Sequence, residues 1–368
     1  MSKQIVLLPG DGIGKEIMEA AKVVLRAISN EYGHRFTFHE HAIGGDAIDR
    51  YGVPLPQQTV EACQRADAIL LGAVGGPQWN SYPAHHRPER GLLGIRKEMK
   101  LFANLRPIKG CNPLLPASPL KESVIKNSDI LIIRELTGGL YFGEPSERRE
   151  NGNAVVDTLY YRRDEMERII DTAFQNASQR KKHLTSVDKA NVLESSRLWR
   201  EIVEEKSHDY PDVTVEHLLV DAAAMKLITQ PNAFDVLVTE NLFGDILSDE
   251  ASVLTGSLGM LPSASMRADG VGLYEPVHGS APDIAGKGIA NPLGMILSTA
   301  MMLRYSFQME EEATEIEGAV DHVLELGYHT PDLLISEGKQ VGTEEMTELI
   351  VDHLTVKSIR DSICSIYV

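Results

Sequence analysis

The sequence predicts an α/β protein, and two observations carry that reading. Short apolar or alternating runs with strand character recur through the first two-thirds of the chain, among them QIVLL (4–8), DAILLGAVGGP (67–77), DILIIRE (129–135) and FDVLVTEN (234–241). Longer amphipathic segments lie between them, such as 15–29 and DEMERIIDTAFQNASQR (164–180). Strands alternating with helices imply a sheet with helices on its faces.

Residues 4–8 read as a buried strand, PGDGIG (9–14) as a loop, and about 15–29 as a helix. The loop is not G-x-G-x-x-G and no acidic residue closes a second strand at the expected distance, so it reads as a tight turn and not as a Rossmann phosphate loop. FTFHEHAI (36–43) alternates as a strand does, QQTVEACQRA (57–66) is a helix, and 67–77 is a buried strand running into a glycine-proline loop. GLLGIRKEMKL (91–101) is a helix, FANLRPIK (102–109) a strand, and CNPLLPASPL (111–120) a connector. The strand 129–135 ends in the glycine-rich TGGLYFGEPSE, and NAVVDTLYYR (153–162) alternates as an arm strand outside the main sheet. Helix 164–180 has an acidic start suited to the helix dipole. HLTSVDKAN (183–191) is a strand entering a loop, 196–210 a helix, and VTVEHLLVDAAAMKLI (213–228) a strand leading into a helix. NLFGDILSDEASVLTGSLGMLPSAS (241–265) is one helix and then a glycine-rich loop; residues 271–292 carry little regular structure. PLGMILSTAMMLRYSF (292–307) is a core helix, 311–327 an acidic amphipathic helix, and the tail from about Glu344 another.

A net charge of −17 argues against a nucleic-acid or anionic-membrane partner, while leaving room for a small anionic substrate held by local arginines. Cys63, Cys111 and Cys364 are far apart and odd in number, so neither a disulfide framework nor a zinc site is expected. No segment approaches eighteen apolar residues, and IVLLPG is too short for a signal-peptide core; a cytoplasmic protein is the expectation.

Several residues are candidates for chemistry. Asp245 and Asp249 stack one turn apart, opposite an apolar face of Phe243, Ile246, Leu247, Ala251 and Leu254. They are either a solvated acidic face or carboxylates for a hard divalent cation. Arg96, Arg106 and Arg134 are either structural salt-bridge partners or forks for an anion; Arg134, ending an apolar strand, demands a partner. Lys189 and Asp221 each follow a strand expected to be buried, at a sheet edge where ligands bind. Lys189 reads as a base or a solvated loop charge, Asp221 as functional or as a helix cap, and Tyr141 as a proton donor or a packed aromatic. HGSAPDIAGKGIANP (278–292) is either a structural loop or a backbone cradle for phosphates, with Asp283 placed to accept from a ribose diol.

Together, LLPGDGIGKEI (7–17), GLLGIRKEMKLFANLRP, RELTGGLYFGEP, SVDKANVLE, residues 241–265 and GSAPDIAGKGIANP resemble the family of metal-dependent β-decarboxylating dehydrogenases, which takes in isopropylmalate, isocitrate and tartrate dehydrogenases. Leu140 and Ala223 are small departures that change no chemical group. The resemblance implies a two-domain α/β fold with a mixed sheet, not a Rossmann fold. Residues 1–101 with 256–368 would form an NAD-binding domain, and 102–255 a metal, substrate and dimerisation domain with an arm at about 141–162. It implies NAD-dependent oxidative decarboxylation of a 2-hydroxy dicarboxylate. The isopropylmalate branch would yield 2-oxo-4-methylpentanoate and CO₂ in leucine biosynthesis; the alternative is a tartrate, D-malate or other alkylmalate enzyme. Arg96, Arg106 and Arg134 match residues holding the malate carboxylates. Asp245 and Asp249 match ligands of Mg²⁺ or Mn²⁺, joined by Asp221 from a dimer partner. Lys189, also from the partner, matches the base and Tyr141 the acid. Glu275, His278, Gly279, Ala281, Asp283, Ile284 and Asn291 match cofactor contacts, Asp283 favouring NAD over NADP. Glu89, Leu92 and Leu93 match the pocket for the γ-substituent, where leucines suit an isopropyl group and Glu89 would repel a γ-carboxylate. A non-catalytic regulatory subunit would lack some of these groups, and all are present here.

Overall fold

The computed structural model describes residues 2–110 and 112–366. They divide into two compact units, Met1–Met99 with Cys111–Ala117 and Gly256–Val368, and Lys100–Gly110 with Ser118–Thr255. Cys111 and the side chain of Cys364 lie outside what is described. Cys63 is fully buried, and burial pushes its thiol up to about 12, so it packs as a small apolar residue.

The first unit opens with β1 (Ser2–Gly10), α1 (Gly14–Tyr32), β2 (Arg35–Glu40), α2 (Gly44–Tyr51), α3 (Gln57–Arg65), β3 (Ala68–Ala73) and α4 (Glu89–Glu98). In α1, Ile17, Met18, Ala21, Val24, Leu25 and Ile28 recur at spacings of one, three and four and bury one face. β1 pairs in parallel with β2 and β3, and β3 is buried along its whole length.

The second unit holds β4 (Ala103–Lys109), α5 (Glu122–Ile125), β5 (Asp129–Glu135), β6 (Glu147–Arg149), β7 (Ala154–Val156), α6 (Arg163–Gln179), β8 (His183–Asp188), α7 (Glu194–Ser207), β9 (Thr214–Leu219), α8 (Val220–Thr229), β10 (Val236–Thr239) and α9 (Asn241–Glu250). Its strand order is β4-β5-β10-β8-β9, antiparallel at β4–β5 and parallel beyond. β9 is the last strand in that order and its side chains are exposed or half-buried, against the expectation of a buried strand before Asp221. The arm is a hairpin in which only Ala154–Val156 of the 153–162 stretch pairs, with Glu147–Arg149.

The chain then returns to the first unit with β11 (Pro262–Met266), β12 (Gly272–Pro276), α10 (Leu293–Tyr305), α11 (Glu310–Glu325), β13 (Tyr328–His329), β14 (Lys339–Gln340) and α12 (Thr343–Ile366). β12 pairs in parallel with β3 and antiparallel with β11. Both strands fall where the sequence reads as loop, because five short, almost wholly buried positions flanked by Gly and Pro show no alternation. The antiparallel pairs in each unit make the sheet mixed and set the fold apart from an all-parallel doubly wound sheet. Most residues of α10 are buried, as its predominantly apolar sequence requires.

Candidate active site

The second unit gathers five of the sequence candidates. Arg106 on β4 and Arg134 on β5 are 6% and 2% exposed, buried among apolar strand neighbours. Arg134 donates to the Asp245 carboxylate through Nη1, and to Asn241 Oδ1 through Nε at 3.1 Å and Nη2 at 2.8 Å. Arg106 donates through Nε to Asn104 Oδ1 at 2.6 Å and through Nη1 to Ser248 Oγ at 2.5 Å; its Nη1 lies 3.4 Å from Asp249 and its Nη2 3.6 Å from Asp245. Tyr141, in a one-turn helix after β5, donates its hydroxyl to Asp245 Oδ2 at 2.6 Å, and the Arg134 guanidinium sits 5.4 Å from its ring centroid. The close passage of Arg134 over α9 requires Gly244: a Cβ there would fall 2.6 Å from Arg134 Cγ.

Burial raises the Tyr141 phenol above its ordinary value, and the Asp245 carboxylate adds to the effect. Asp249 is raised by partial desolvation, lowered by Arg106, and raised again by Asp245. These oxygens are the hard donors that Mg²⁺ and Mn²⁺ prefer, and a cation would relieve the like-charge stacking. Among the described residues no group of three or more His, Cys, Asp or Glu within the chain is placed to hold a metal ion. Asp221 therefore does not join Asp245 and Asp249 in one chain.

Asp221 instead meets Lys189: Nζ donates to Oδ1 at 2.8 Å, and this bond holds the Asp221 carboxyl below its usual range. Lys189 follows β8, and Asp221 lies in the first turn of α8, whose N-cap is Leu219, so Asp221 is not the cap.

Beneath the five-residue cluster lies a buried layer that sequence reasoning missed. Glu240 caps α9 by accepting from Phe243 N, the Tyr161 hydroxyl donates to Glu240 at 3.2 Å, and Asn241 N donates to Tyr161 at 3.0 Å. Glu135, fully buried, accepts from Thr137 N and Gly138 N, and burial raises both Glu135 and Glu240. The one available signal was polarity within β5 and just before α9, where packing alone gives no reason for it.

The first unit holds the other candidates. On α4, Arg96 is 7% exposed and donates to Glu275 of β12 at 2.8 Å. Glu89, exposed, and Leu92 and Leu93, half-buried, lie on the same helix at spacings of three and four from one another or from Arg96. The loop after β12 is held from behind. Ile13 N donates to Ser280 O at 2.9 Å, and a Cβ at Gly12 would fall 2.0 Å from that oxygen, so the PGDGIG turn clasps this loop by direct backbone contact. Gly286 N donates to Glu16, and Thr343 Oγ1 to Ala290 O. Asn291 is buried, donating to Asp332 at 3.0 Å and accepting from Leu293 N. Ala281 takes φ +37°, a strained value for a non-glycine residue. Asp283 and Gly279 are exposed and Ile284 is half-buried. The buried His278 Nε2 has no hydrogen-bond partner, while Nδ1 lies 2.8 Å from Gly279 O; burial lowers the imidazole, keeping it neutral. An orphaned ring nitrogen beside exposed backbone fits a loop that offers hydrogen bonds to a bound dinucleotide. Asp11, missed in the sequence, accepts from the backbone N–H of Gly45, Asp46 and Gly75 and ties its own turn to the first turn of α2 and to the loop after β3.

The isocitrate/isopropylmalate dehydrogenase family profile matches residues 4–350. A 3-isopropylmalate dehydrogenase of Oceanobacillus iheyensis is 71% identical over 368 residues, covering 100% of both chains. The 3-isopropylmalate dehydrogenase of Bacillus subtilis is 58% identical over 365 residues, 98% of this chain and 100% of that one. Among solved structures, isocitrate dehydrogenase from Methylococcus capsulatus superposes with a TM-score of 0.83 at 35% identity, covering 96% of this chain and 99% of the other. A beta-decarboxylating dehydrogenase from Thermococcus kodakarensis gives 0.78 at 36% identity, covering 96% of each.

Proposed function

We propose that this chain, which belongs to the isocitrate/isopropylmalate dehydrogenase family, catalyses the NAD-dependent oxidative decarboxylation of 3-isopropylmalate to 2-oxo-4-methylpentanoate and CO₂, a step of leucine biosynthesis. The observation that carries the reading is the convergence of Arg106, Arg134, Tyr141, Asp245 and Asp249 on one cluster. Two buried guanidiniums suit a carboxylate, a phenol with a raised pKa suits a proton donor, and two stacked carboxylates suit a divalent cation.

In this reading Arg106 and Arg134, with Arg96, hold the malate carboxylates. Lys189 Nζ of a second copy takes the proton of the 2-hydroxyl, and NAD, when bound, would supply the acceptor for the C2 hydride. The β-carboxylate then departs as CO₂, and Tyr141 Oη protonates the carbon it leaves. To act as a base, Lys189 must give up its pair with Asp221. Mg²⁺ or Mn²⁺ held by Asp245, Asp249 and Asp221 of a second copy would polarise the hydroxyl oxygen and stabilise developing negative charge. NAD would lie on the loop carrying His278, Gly279, Ala281, Asp283, Ile284 and Asn291, with Glu275 toward the nicotinamide. The exposed Asp283 carboxylate would accept from a ribose diol and repel a 2′-phosphate.

The separation of Asp221 from Asp245 and Asp249 among the described residues of one chain is what a homodimer with shared sites would require. Met225 of α8 and Ile246 of α9, 69% and 56% exposed, support it. Ile246 belongs to the apolar stripe of α9, of which Leu247, Ala251 and Leu254 are buried in this chain; a partner surface is where Ile246 would be covered.

The test compares kcat/KM for 3-isopropylmalate, isocitrate, D-malate and tartrate with NAD⁺ and NADP⁺, in Mg²⁺ or Mn²⁺. Turnover should be best with 3-isopropylmalate and NAD⁺. Isocitrate as the best substrate would overturn the role given to Glu89, Leu92 and Leu93, since a single methylene in such a pocket is worth only about 1–3 kcal/mol and charge must do the rest.

A further inference from the structure

Three other arginines share one pattern. Arg180 directs Nε to Asp235 at 2.8 Å and Nη2 to Asp129 at 2.8 Å. Arg200 directs Nε to Asp188 at 2.6 Å, and Arg304 directs Nε to Glu310 at 2.9 Å and Nη2 to Glu317 at 3.0 Å. In each, a carboxylate sits on the Nε edge and neutralises the guanidinium.

Arg106 and Arg134 break this pattern although they are more buried than any of those three. Their Nε edges meet neutral amides, Asn104 and Asn241, which are 0% and 1% exposed. Asn104 lies two residues before Arg106 on the same face of β4, and is the register partner of Arg134 on β5. The Asn241 amide is locked: Nδ2 donates to Gly138 O at 3.1 Å, so Oδ1 faces Arg134 and takes two of its N–H groups. Against an amide, a buried guanidinium edge recovers less of its desolvation than it would against a carboxylate.

We infer that Asn104 and Asn241 are positioning residues that fix the Arg106 and Arg134 guanidiniums while leaving their positive charge to a substrate carboxylate. The inference rests on the reading of those arginines as carboxylate holders. An aspartate at either place would accept the same N–H groups in nearly the same shape, but would add a fixed negative charge about one guanidinium away from the ligand. The amide is therefore a choice about charge as well as geometry. Asp245 and Asp249, on the other side of the two guanidiniums, are the carboxylates assigned above to a cation, so they would not serve as permanent counter-ions.

The test measures KM and kcat for 3-isopropylmalate in the full-length protein carrying Asn241→Asp, Asn241→Ala, Asn104→Asp or Asn104→Ala, with Arg134→Gln as reference. Both aspartates should raise KM by about 10- to 100-fold, the size expected of a new charge at this distance in a partly screened site. Their kcat should change by less than about threefold, the signature of lost substrate binding. Each alanine should raise KM less than the matching aspartate, although it removes the hydrogen bond that aspartate keeps. A purely structural role predicts the reverse order, and that order, or an unchanged KM in the aspartate variants, would overturn the inference. A raised KM in Arg134→Gln with near-normal aspartate variants would sink this inference alone. An unchanged KM in Arg134→Gln would sink the arginine reading and this inference with it. If a melting curve shows that Asn241→Asp does not fold, the Asn104 pair decides by the same order.

Discussion

Replacing Tyr141 by phenylalanine separates chemistry from architecture at this site. The ring stays and keeps its contact with the Arg134 guanidinium at 5.4 Å, worth about 0.5–1 kcal/mol at such sites. What is lost is the hydroxyl and its 2.6 Å bond to Asp245. A hydrogen bond to a charged group contributes about 1.5–3 kcal/mol. Asp245 is one-third exposed and still faces Arg134 and Arg106, so water and the arginines offset much of that loss. The net cost to stability should be about 1 kcal/mol, a melting shift of roughly 2 °C in a chain of this size. Kinetics should respond far more: removing a positioned proton donor costs about 10²- to 10⁴-fold in rate. The assay is steady-state NADH formation from 3-isopropylmalate, with a thermal melt on the same samples. The pH behaviour has a sign as well. The folded phenol titrates above its ordinary value of 10.0, so the stability tied to its neutral form is complete below pH 10 and is lost only as pH rises through the folded value. Wild type and variant should therefore keep a constant stability difference across the neutral range. A kcat within threefold of wild type, with an unshifted melt, would remove Tyr141 from the proton-donor role.

Three further outcomes are expected. Mixing Lys189→Met with Asp245→Asn protein, each inactive alone, should restore about a quarter of wild-type activity, since half of randomly exchanged dimers carry one intact site; no recovery after demonstrated exchange would contradict a shared site. Asp249→Asn should raise the Mn²⁺ concentration needed for half-maximal activity and for thermal stabilisation by at least about tenfold, and chelation should silence the wild type; indifference to both would remove the carboxylate pair as a metal site. Glu135→Gln should change the acid side of the stability profile. Burial raises the folded Glu135 carboxyl above its reference of 4.5, so its contribution is fully present below that pH and is lost as pH rises through the folded value. Urea titrations should show wild type gaining on the variant as pH falls from 7 toward 4.5, and a pH-independent difference would refute that reasoning.

Much of the fold was legible because its driving pattern is local. The 3.6-residue stripe of α1, the apolar run of β5 and the predominantly apolar sequence of α10 each announce their own burial. β11 and β12 were not legible, because short buried strands of small residues between glycines and prolines look like loop until their partners are known. The candidate site divides the same way. Arg134 stood out because a charge ending a buried strand demands a partner, but which partner was not written nearby: Asn241 is 107 residues away, and Glu275 lies 179 residues from Arg96. The stripe on α9 shows which side is apolar but not what covers it, which is why Ile246 is exposed while Leu247 is not. Asp11, Asn104 and Ser248 carry ordinary residue types in ordinary places, and only their partners mark them.

The return of the chain to its first unit has a consequence for synthesis. β3 is covered on one edge by β1 almost as soon as both are made, but its other edge belongs to β12, about two hundred residues downstream. A nascent chain emerging at roughly 5–20 residues per second therefore displays a fully apolar, half-paired strand for about 10–40 seconds. The second unit, by contrast, is nearly complete in sequence before the first can close. Its sheet has the opportunity to form while the first still waits for β11, β12 and α10, and the open edge of β3 is where a chaperone would be needed.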